Sequence, residues 1–473
     1  MSSAKHFHFS GICGTAMASL AVLLKTRGHQ ITGSDQNPYP PMSTFLEDNH
    51  IPLAPGYKPE HLQPHPDYVV LGNALSRGNA EVEYALRAHL HYLSMAELLK
   101  NEFIRGTCSL VISGTHGKTT TTSLTAHVFT EAGKPTGFMV GGIPLNFNSS
   151  VRDVEKGGYF VTEGDEYDTS FFDKRAKLFH YLPDRLIINN LEFDHADIYD
   201  NLDQIKQAFT LALRQMPDNG LIIANGDDPH ALDVAKKGFC PVVTFGLNPS
   251  NDAVVSKINA LQGSLGMSFT LTWQGQAMDF TLPLVGEHNV RNAAAVIVLA
   301  LHEGISLAQV QAAFASFKGV KRRQERVSKN SQVQVYDDFA HHPTAIRETI
   351  KALRTAFPQA RIHAIYEARS NTSVRRVHQE SMSQAFAEAD QVTFYKLHRA
   401  ERLNPADRLD LDQVVQELAA MGKPSRYLDD LAQIQALALA AAAPGDVILV
   451  MSQGSFEGLP LTLAQALDQR YGD

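Results

Sequence analysis

The chain has 473 residues, of which 44% are hydrophobic and 19% charged, and its formal net charge is −8. This composition is typical of a soluble enzyme of about two to four domains, and the acidic balance argues against nucleic acid or an anionic membrane as a partner. The three cysteines lie far apart in the sequence, which argues against a disulfide framework or a zinc site and indicates a cytoplasmic location.

The N-terminal segment predicts alternating strands and helices. A strand near residues 6–10 leads into a core helix over residues 16–24, and further strands are predicted over residues 30–33 and 68–71. Such alternation indicates a parallel sheet whose ligands bind at the carboxyl ends of the strands. No apolar stretch approaches the roughly 18 residues needed to span a bilayer, so we expect no membrane association.

A glycine turn follows the first strand, and Gly11 and Gly14 would let a phosphate approach the backbone closely. This turn is not the dinucleotide fingerprint, because Cys13 and Ala16 stand where that motif has its second and third glycines. A Rossmann-type dehydrogenase stays open as a weak alternative. A nucleotide-diphosphate site without nicotinamide is better supported.

A phosphate-binding loop is predicted at residues 114–120, Gly-Thr-His-Gly-Lys-Thr-Thr, between a buried strand over residues 109–112 and a helix over residues 119–132. Such a loop points backbone N–H groups at phosphate, with Lys118 on the terminal phosphates and the Thr119 hydroxyl on Mg²⁺. The match to the general pattern is imperfect, because Ile112 stands where the first glycine belongs. The alternative is a glycine-rich turn with a surface lysine.

Two polar runs follow later strands of this second segment. Strands are predicted over residues 159–162, 186–188 and 220–224, and an amphipathic helix over residues 289–303. Glu163 directly follows the first of these strands and is a candidate Mg²⁺ ligand, with a solvated acidic loop as the alternative. In the run after the next strand, Asp194 could orient His195 as a metal ligand, although a histidine there could equally cap or pack.

Three further polar stretches follow. The first precedes the third segment, and the other two lie within it. In the turn before residue 289, asparagines could match an adenine edge or cap the helix, and both roles stay open. A strand over residues 334–336 ends in two aspartates, two histidines and a proline, for which metal binding, ribose binding and capping all stay open. After a strand over residues 361–366, Arg369 suggests bidentate capture of a carboxylate.

The remaining predicted elements continue the alternation. They are helices over residues 344–356, 378–389 and 437–443 and strands over residues 391–394 and 447–451.

Taken together, these motifs resemble the Mur ligase family of ATP-dependent amide-bond ligases of peptidoglycan assembly. The resemblance covers essentially the whole chain. It rests on the phosphate loop, the acidic strand end, Asn-Asn-Leu-Glu-x-Asp-His, His-Asn-x-x-Asn and Asp-Asp-x-x-His-His-Pro, in that order. It implies an α/β fold of three domains: a Rossmann-like UDP-sugar domain (1–106), a central P-loop ATPase domain with a mostly parallel sheet (107–319) and a Rossmann-like peptide domain (320–473).

Within the family, two branches compete. The N-terminal glycine turn and the His-His-Pro motif resemble members that add L-alanine to UDP-N-acetylmuramate. Residues 142–147, 166–175 and 369–372 look more like members that add the murein tripeptide L-Ala-γ-D-Glu-meso-diaminopimelate in peptidoglycan recycling. We favour the tripeptide branch, with the L-alanine branch as the alternative.

The resemblance also implies a role for each matching position. Catalysis would fall to Lys118, Glu163 and His195. The Mg²⁺ ligands would be Thr119, Glu163 and His195. ATP would be bound by Gly114, Thr115, His116, Gly117, Lys118, Thr119, Thr120, His288, Asn289, Asn292, Arg323 and Asp338. The UDP-sugar would be bound by Gly11, Ile12, Gly14, Thr15, Ser34, Asp35 and Asn73. The peptide would be bound by His341, Arg369, Ser370, Asn371 and Thr372.

One position departs from the family pattern. Several Mur ligases carry a carbamylated lysine fifteen residues beyond the histidine matched by His195, and Thr210 stands there. We therefore predict no carbamate and a second metal site with fewer protein ligands. We expect small-molecule substrates and a monomer or weak homodimer in a bacterial cytoplasm.

Overall fold

The computed structural model describes residues 4–38, 42–261 and 265–472, which form three sheets in chain order. The first sheet has five parallel strands in the order β3-β2-β1-β4-β5. Its strands are β1 (His6–Ser10), β2 (Gln30–Asp35), β3 (Leu53–Pro55), β4 (Tyr68–Leu71) and β5 (Tyr92–Ser94). Its helices are α1 (Thr15–Thr26), α2 (Met42–Asp48), α3 (Ala80–Arg87) and α4 (Met95–Leu99).

The second sheet has ten strands in the order β15-β14-β13-β12-β11-β10-β6-β9-β7-β8. The strands are β6 (Cys108–Ser113), β7 (Thr136–Met139), β8 (Val151–Arg152), β9 (Tyr159–Gly164), β10 (Arg185–Ile188), β11 (Leu221–Asn225), β12 (Val242–Gly246), β13 (Ala253–Ala260), β14 (Met267–Trp273) and β15 (Gln276–Leu282). The helices are α5 (Lys118–Glu131), α6 (Leu202–Leu213), α7 (Pro229–Ala235), α8 (Glu287–His302) and α9 (Leu307–Ser316). Seven neighbouring strands from β13 to β7 run parallel, and the antiparallel pairings, β13–β14, β14–β15 and β7–β8, lie at the two ends.

The third sheet has six strands in the order β16-β17-β21-β18-β19-β20, parallel except for β16. The strands are β16 (Glu325–Arg326), β17 (Gln334–Asp338), β18 (Ile362–Glu367), β19 (Gln391–Tyr395), β20 (Ser425–Leu428) and β21 (Val447–Ser452). The helices are α10 (Pro343–Ala356), α11 (Gln379–Ala385), α12 (Leu411–Ala420), α13 (Leu431–Ala441) and α14 (Leu459–Tyr471). The predicted three-domain α/β fold is confirmed.

Several elements differ from the sequence-based prediction, among them the helix predicted over residues 437–443, which spans Leu431–Ala441 as α13. The helix α8 was expected to be amphipathic, but residues 293–300 are all buried because it packs against α5 on one side and the sheet on the other. The helix predicted over residues 378–389 ends at Ala385 as α11, and turns lead from there to β19. The hairpin strands β13 to β15 were not predicted, although β15 alternates buried and exposed residues with the period of a strand.

The parallel strands bring their carboxyl ends to shared edges, where the polar runs of the sequence lie. In the central sheet, β6 leads into the phosphate loop, β9 ends in Glu163 and Gly164, and β10 precedes the two asparagines. Within the described ranges, none of the helices has both the length and the apolar character needed to cross a bilayer.

Candidate active site

The phosphate loop joins β6 to α5 through two glycines in the left-handed region. The φ angles of Gly114 and Gly117 are +131° and +82°. A Cβ at Gly114 would lie 2.9 Å from the backbone oxygen of Asn190, and one at Gly117 would lie 2.7 Å from Oδ1 of Asn292. Both positions therefore require glycine for conformation and for space.

The Asn-Asn pair after β10 holds this loop from the side. The backbone N–H of Thr115 donates to the backbone oxygen of Asn190 at 3.1 Å, and that of His116 donates to the Asn190 side chain at 2.8 Å. Asn189 donates to the Thr121 hydroxyl at 3.0 Å. The pair therefore fixes the loop at both of its ends, a structural role that sequence analysis had not assigned.

Lys118 begins α5 and is held over the loop by two contacts. Its Nζ donates to the backbone oxygen of Gly114 at 2.6 Å and lies 2.8 Å from Oε2 of Glu166. Burial alone would lower the pKa of Lys118, but the nearby carboxylates, Glu166 above all, outweigh burial and raise it. The ammonium is therefore charged and placed where a phosphoryl group would meet the loop.

The other oxygen of Glu166 contacts His195, the predicted metal ligand. The Oε1 atom lies 3.2 Å from Nε2 of His195. Burial opposes ionisation of both groups. The charge of Lys118, followed by the contact with His195, nevertheless lowers the pKa of Glu166, and the carboxylates of Glu166, Asp194 and Asp165 raise that of His195. Asp194 was expected to orient this imidazole, but it accepts the backbone N–H of His195 instead, at 2.7 Å.

Asp165, Glu166 and His195 place one ligand atom each within 4.8 Å of one another, a donor set that fits a divalent cation. Thr210 does not contribute to this group, because its hydroxyl donates to the backbone oxygen of Lys206 within α6. The nearest lysine in the sequence, Lys206, has its Nζ 3.6 Å from Asp233. The absence of a carbamate stays a prediction.

Thr119 and Glu163 meet on the other side of Lys118. The Thr119 hydroxyl lies 3.2 Å from Oε2 of Glu163, whose Oε1 accepts the N–H of Gly141 at 2.6 Å. Burial raises the pKa of Glu163 despite the Gly141 bond and the charge of Arg323. The positive charge near Glu163 therefore does not offset the cost of burying its carboxylate. This carboxylate and the Thr119 hydroxyl beside it supply oxygen ligands of the kind that Mg²⁺ prefers.

A cavity of about 310 Å³ lies between the phosphate loop, the start of α8 and the third sheet. Its lining includes His288, Asn289, Asn292, Arg323 and Asp338, so the predicted ATP ligands are brought together. The suggested capping role of Asn289 is not observed. Asn289 lies inside α8, whose N-cap is Gly286, and donates to the backbone oxygen of Val285 at 2.8 Å.

The cavity reaches the third sheet through Arg323 and Asp338. Arg323 donates to the Thr119 hydroxyl at 3.1 Å and lies over the ring of Phe339. Asp338 accepts the backbone N–H groups of Gln324 and Ala340, each at 2.7 Å. These bonds fix the segment that connects the two sheets next to the phosphate loop.

A second histidine-carboxylate group lies where the third sheet meets the phosphate loop. Oε2 of Glu192 lies 3.1 Å from Nε2 of His116 and 3.5 Å from Nδ1 of His342, and accepts the Thr344 hydroxyl at 2.8 Å. Burial lowers the pKa of His342 to about 3, so this ring is neutral. Glu192 therefore links the phosphate loop to the start of α10.

The residues predicted to bind the UDP-sugar gather at one edge of the first sheet. The N–H groups of Gly11 and Ile12 donate to the backbone oxygen of Ser34 at 2.8 and 3.1 Å. Asp35 accepts the N–H of Cys13 at 2.9 Å. Gly14 and Thr15 begin α1, and Asn73 is exposed just after β4.

Two of these side chains are turned inward. Ile12 is fully buried, and the Ser34 hydroxyl donates to buried Glu81 at 2.6 Å. Glu81 also accepts the Ser10 hydroxyl and contacts His8 and His61. Burial opposes ionisation of Glu81, but these bonds lower its pKa to about 2. Ser34 and Ile12 could therefore contribute to a ligand site mainly through their backbone.

Four of the five residues predicted to bind the peptide, residues 369–372, follow β18 and face the loop that carries His195, whereas His341 follows β17. Asn371 donates to Asp197 at 2.9 Å, and the Thr372 hydroxyl accepts the N–H of Ala196 at 3.2 Å. Tyr167 also donates to Asp197. A cavity of about 330 Å³ at this contact is lined by His195, His341 and Arg369 among others.

Sequence analysis left Glu166 and Glu192 without a role, although both stood in motifs that it had quoted. The carboxylates of one acidic run cannot be told apart from the sequence. The position at which β9 ends, Gly164, decides which of them points toward Lys118. For Glu192 the sequence did contain a signal of a role in the site, because Glu192 lies two residues before Asp194 in the polar run that follows β10.

Three family models match consecutive parts of the chain. "Mur ligase family, catalytic domain" matches residues 6–105, "Mur ligase middle domain" residues 112–300, and "Mur ligase, glutamate ligase domain" residues 322–454. The matched ranges follow the three sheets.

Curated relatives match almost end to end. A UDP-N-acetylmuramate–L-alanyl-gamma-D-glutamyl-meso-2,6-diaminoheptandioate ligase of Haemophilus influenzae is 40% identical over 96% of this chain and 97% of its own length. A UDP-N-acetylmuramate–L-alanine ligase of Desulfitobacterium hafniense is 30% identical over 95% and 97%. The crystal structure of a murein peptide ligase from Psychrobacter arcticus has a TM-score of 0.72 at 36% identity and covers 98% of this chain and 99% of its own.

These matches agree with the phosphate loop, the carboxylate and histidine groups beside it and the three sheets in chain order. The chain therefore belongs to the Mur ligase family, whose members are ATP-dependent ligases that form amide bonds.

Proposed function

We propose that this enzyme joins UDP-N-acetylmuramate to the tripeptide L-Ala-γ-D-Glu-meso-diaminopimelate at the expense of ATP. The reaction type is supported above all by the position of Lys118. This residue lies at the phosphate loop, contacts Glu166 and lies beside the Thr119–Glu163 pair. The substrate assignment is supported by the higher identity to the tripeptide ligase, 40% against 30% for the L-alanine ligase.

The first chemical step transfers the γ-phosphoryl group of ATP to the lactyl carboxylate of the sugar. The carboxylate oxygen forms a bond to phosphorus, the bond to the β-phosphate oxygen breaks, and ADP leaves. Lys118 stabilises the charge on the transferring group, and the loop N–H groups and the start of α5 hold the phosphates. Fixed donors in a partly buried site need little reorganisation as charge develops.

The second step forms the amide. The neutral peptide amine attacks the acyl phosphate, a tetrahedral intermediate forms and loses a proton, and phosphate leaves. His195 and Glu166 lie at the end of the site that faces the peptide loop. This placement lets the protonated ring of His195, held by Glu166, attract the charged phosphate while Arg369 and its neighbours hold the peptide.

Two sites are suited to Mg²⁺. Thr119 and Glu163 would hold one ion, and His195, with Glu166 or Asp165, would hold another. Bound Mg²⁺ would neutralise charge on the phosphate oxygens. Glu166, which contacts Lys118 directly, would have to adjust when an ion enters.

We extend the proposal to the domains. Residues 1–106 would bind the UDP-sugar, residues 107–319 ATP and residues 320–473 the peptide. We further expect a monomer or weak homodimer in a bacterial cytoplasm, where both substrates are small molecules.

The reaction is tested by incubating the protein with ATP, Mg²⁺ and UDP-N-acetylmuramate, with either the tripeptide or L-alanine. We expect phosphate release and a UDP-linked tripeptide product by mass spectrometry only with the tripeptide. Phosphate release with L-alanine alone would instead identify the L-alanine branch. Hydride transfer to a nicotinamide cofactor without consumption of ATP would refute both ligase assignments.

A further inference from the structure

The loop that follows β9, residues 165–178, extends from the candidate active site to the first domain, and we call it the bridging loop. Its two arms are paired along the backbone. The N–H of Leu178 donates to the backbone oxygen of Asp165 at 3.1 Å, and that of Thr169 donates to the backbone oxygen of Arg175 at 3.1 Å. The bridging loop is therefore held along its length by its own hydrogen bonds.

The tip of the bridging loop is fixed by a buried carboxylate. Asp173 accepts a hydrogen bond from Nε of Arg175 at 2.8 Å, and it lies 2.8 Å from Nε2 of His180. Both contacts hold the turn directly after Phe171 and Phe172. The two aromatic rings are therefore presented from an ordered turn.

These two rings pack on the first domain. Phe171 and Phe172 contact an apolar cluster of that domain, which consists of Leu62, Val69, Leu71, Val82 and Ala85. The ring of Phe172 meets that of Tyr92, in β5, edge to face, with 4.9 Å between the ring centroids and 77° between the planes. Edge-to-face aromatic pairs are stabilising beyond the area that they bury. The tip thus anchors the central domain on the first.

The apolar cluster lies next to the residues predicted to bind the UDP-sugar. Leu71 belongs to the cluster and Leu75 packs against it, so Asn73 lies in the short segment between two anchored residues. This segment also contacts the glycine turn, because a Cβ at Gly11 would lie 3.8 Å from the Cα of Gly72. The tip of the bridging loop is therefore packed close to the predicted sugar-nucleotide site.

The first arm of the bridging loop reaches the phosphoryl-transfer site. It carries Glu166, whose two carboxylate oxygens contact Lys118 at 2.8 Å and His195 at 3.2 Å. The backbone oxygen of Glu166 also accepts the hydroxyl of Tyr199 at 2.6 Å. One ordered loop therefore links the side chains beside the phosphate loop to the domain that would hold the sugar.

We propose that Phe171 and Phe172 are positioning residues. Through the bridging loop they would hold the first domain so that the lactyl carboxylate of the bound UDP-sugar meets the γ-phosphoryl group at the phosphate loop. The inference rests on the proposed function and deepens it, because it assigns what sets the distance between the two nucleotide sites. Neither phenylalanine would touch a substrate. Displacing one reactant by about 1 Å can slow such a reaction by about 100-fold.

The test is a double-mutant cycle across the contact between the two domains. The full chain is compared with Phe172→Ala, Tyr92→Ala and the double variant, and kcat and KM are measured for ATP, the UDP-sugar and the acceptor. Isothermal titration gives the affinity for the UDP-sugar alone. The control is Phe179→Ala, which removes a half-buried ring of the next segment that contacts Arg175 and His180.

We expect Phe172→Ala and Tyr92→Ala each to lower kcat by about tenfold or more, because the reactants are no longer held in register. KM for ATP and the affinity for the UDP-sugar should stay near the wild-type values, since neither substrate loses a contact. The double variant should be no slower than the slower single variant, because the first substitution already removes the shared contact. Phe179→Ala should keep its kcat.

Unfolding midpoints in denaturant establish that each variant is folded in the assay. Phe172→Leu, which keeps an apolar side chain and should lose less activity, replaces Phe172→Ala in the cycle if the latter does not fold. Losses that multiply in the double variant, or an unchanged kcat in the single variants, would overturn the inference. The cycle can be measured with the tripeptide or with L-alanine as the acceptor. A wild type that ligates neither acceptor would instead refute the proposed function.

Discussion

At the scale of single residues, Lys118 has the clearest consequence. Its ammonium contacts Glu166 and the backbone of Gly114, and both lie far in sequence from the glycine turn predicted to bind the UDP-sugar. We expect Lys118→Ala to lower kcat by at least about 100-fold, because a preorganised positive charge is lost from phosphoryl transfer. Binding of the UDP-sugar, measured by isothermal titration, should stay near the wild-type affinity.

The matched control for this substitution is Lys174→Ala, which removes an exposed lysine paired with Asp168. That variant should keep its kcat. If Lys118→Ala weakened the UDP-sugar as strongly as it slowed turnover, the two nucleotide sites would not be separate.

Asp337 provides a pH-dependent test at the same scale. Burial raises its pKa from 3.8 to about 6, against the attraction of Arg322. The folded protein thus binds a proton more tightly than the unfolded chain. The resulting stabilisation is complete below pH 3.8 and is lost as the pH rises through about 6. Asp337→Asn cannot lose this proton.

We therefore expect Asp337→Asn to gain stability relative to the wild type between pH 4 and pH 8, by at most about 3 kcal/mol. The measurement is the unfolding midpoint of both proteins in denaturant at the two pH values. Asp218→Asn, at an exposed position, serves as the control. A difference between Asp337→Asn and the wild type that does not vary with pH would contradict the assigned pKa.

At the scale of elements, the start of α5 depends on glycine geometry. Gly117 has a φ of +82°, and a Cβ there would lie 2.7 Å from Asn292. We expect Gly117→Ala to weaken ATP binding severely, because the loop must shift away from α8 and the start of α5 moves with it. Fluorescence titration with an ATP analogue would measure the loss.

Gly133→Ala is a matched control at the other end of the same helix. Its φ is +76°, and a Cβ there would meet nothing within 4 Å. This variant carries the conformational cost alone, about 1 kcal/mol, and should keep its ATP affinity. Equal losses of affinity in both variants would mean that the contact with Asn292 is unimportant.

The elements themselves were largely predictable where the apolar pattern was strong. The strand Tyr68–Leu71 was predicted to the residue, and β6, β9, β10 and β17 within a few residues of their ends. The errors fall where tertiary contacts override the local pattern. Helix α8 is buried on all sides because α5 covers its outer face, which periodicity within one segment cannot show.

At the scale of the whole molecule, the central and third domains are joined beside the reaction centre. Asp197 accepts Asn371 from the peptide loop and Tyr167 from the acidic run. We expect Asp197→Ala to raise KM for the peptide several-fold and to speed hydrogen exchange at residues 372–375. The reason is that the loop loses its anchor on the central domain.

Asp218→Ala, an exposed change on the central domain, should alter neither quantity. Unchanged exchange in Asp197→Ala would show that the loop is held by its own turns. A rise in KM for ATP without one for the peptide would place the effect in the nucleotide cavity instead.

The sequence by itself determined the fold class, the phosphate loop and the order of the polar strand ends. Each of these depends on local spacing of glycines, apolar residues and charges, which a single chain displays directly. Only the tertiary structure decided that Glu166 contacts both Lys118 and His195, that Glu192 links two domains, and that Phe172 contacts Tyr92 of the first domain. These contacts depend on which side chains meet when residues distant in sequence pack together. The charge and spacing of residues along the chain do not specify which side chains will meet.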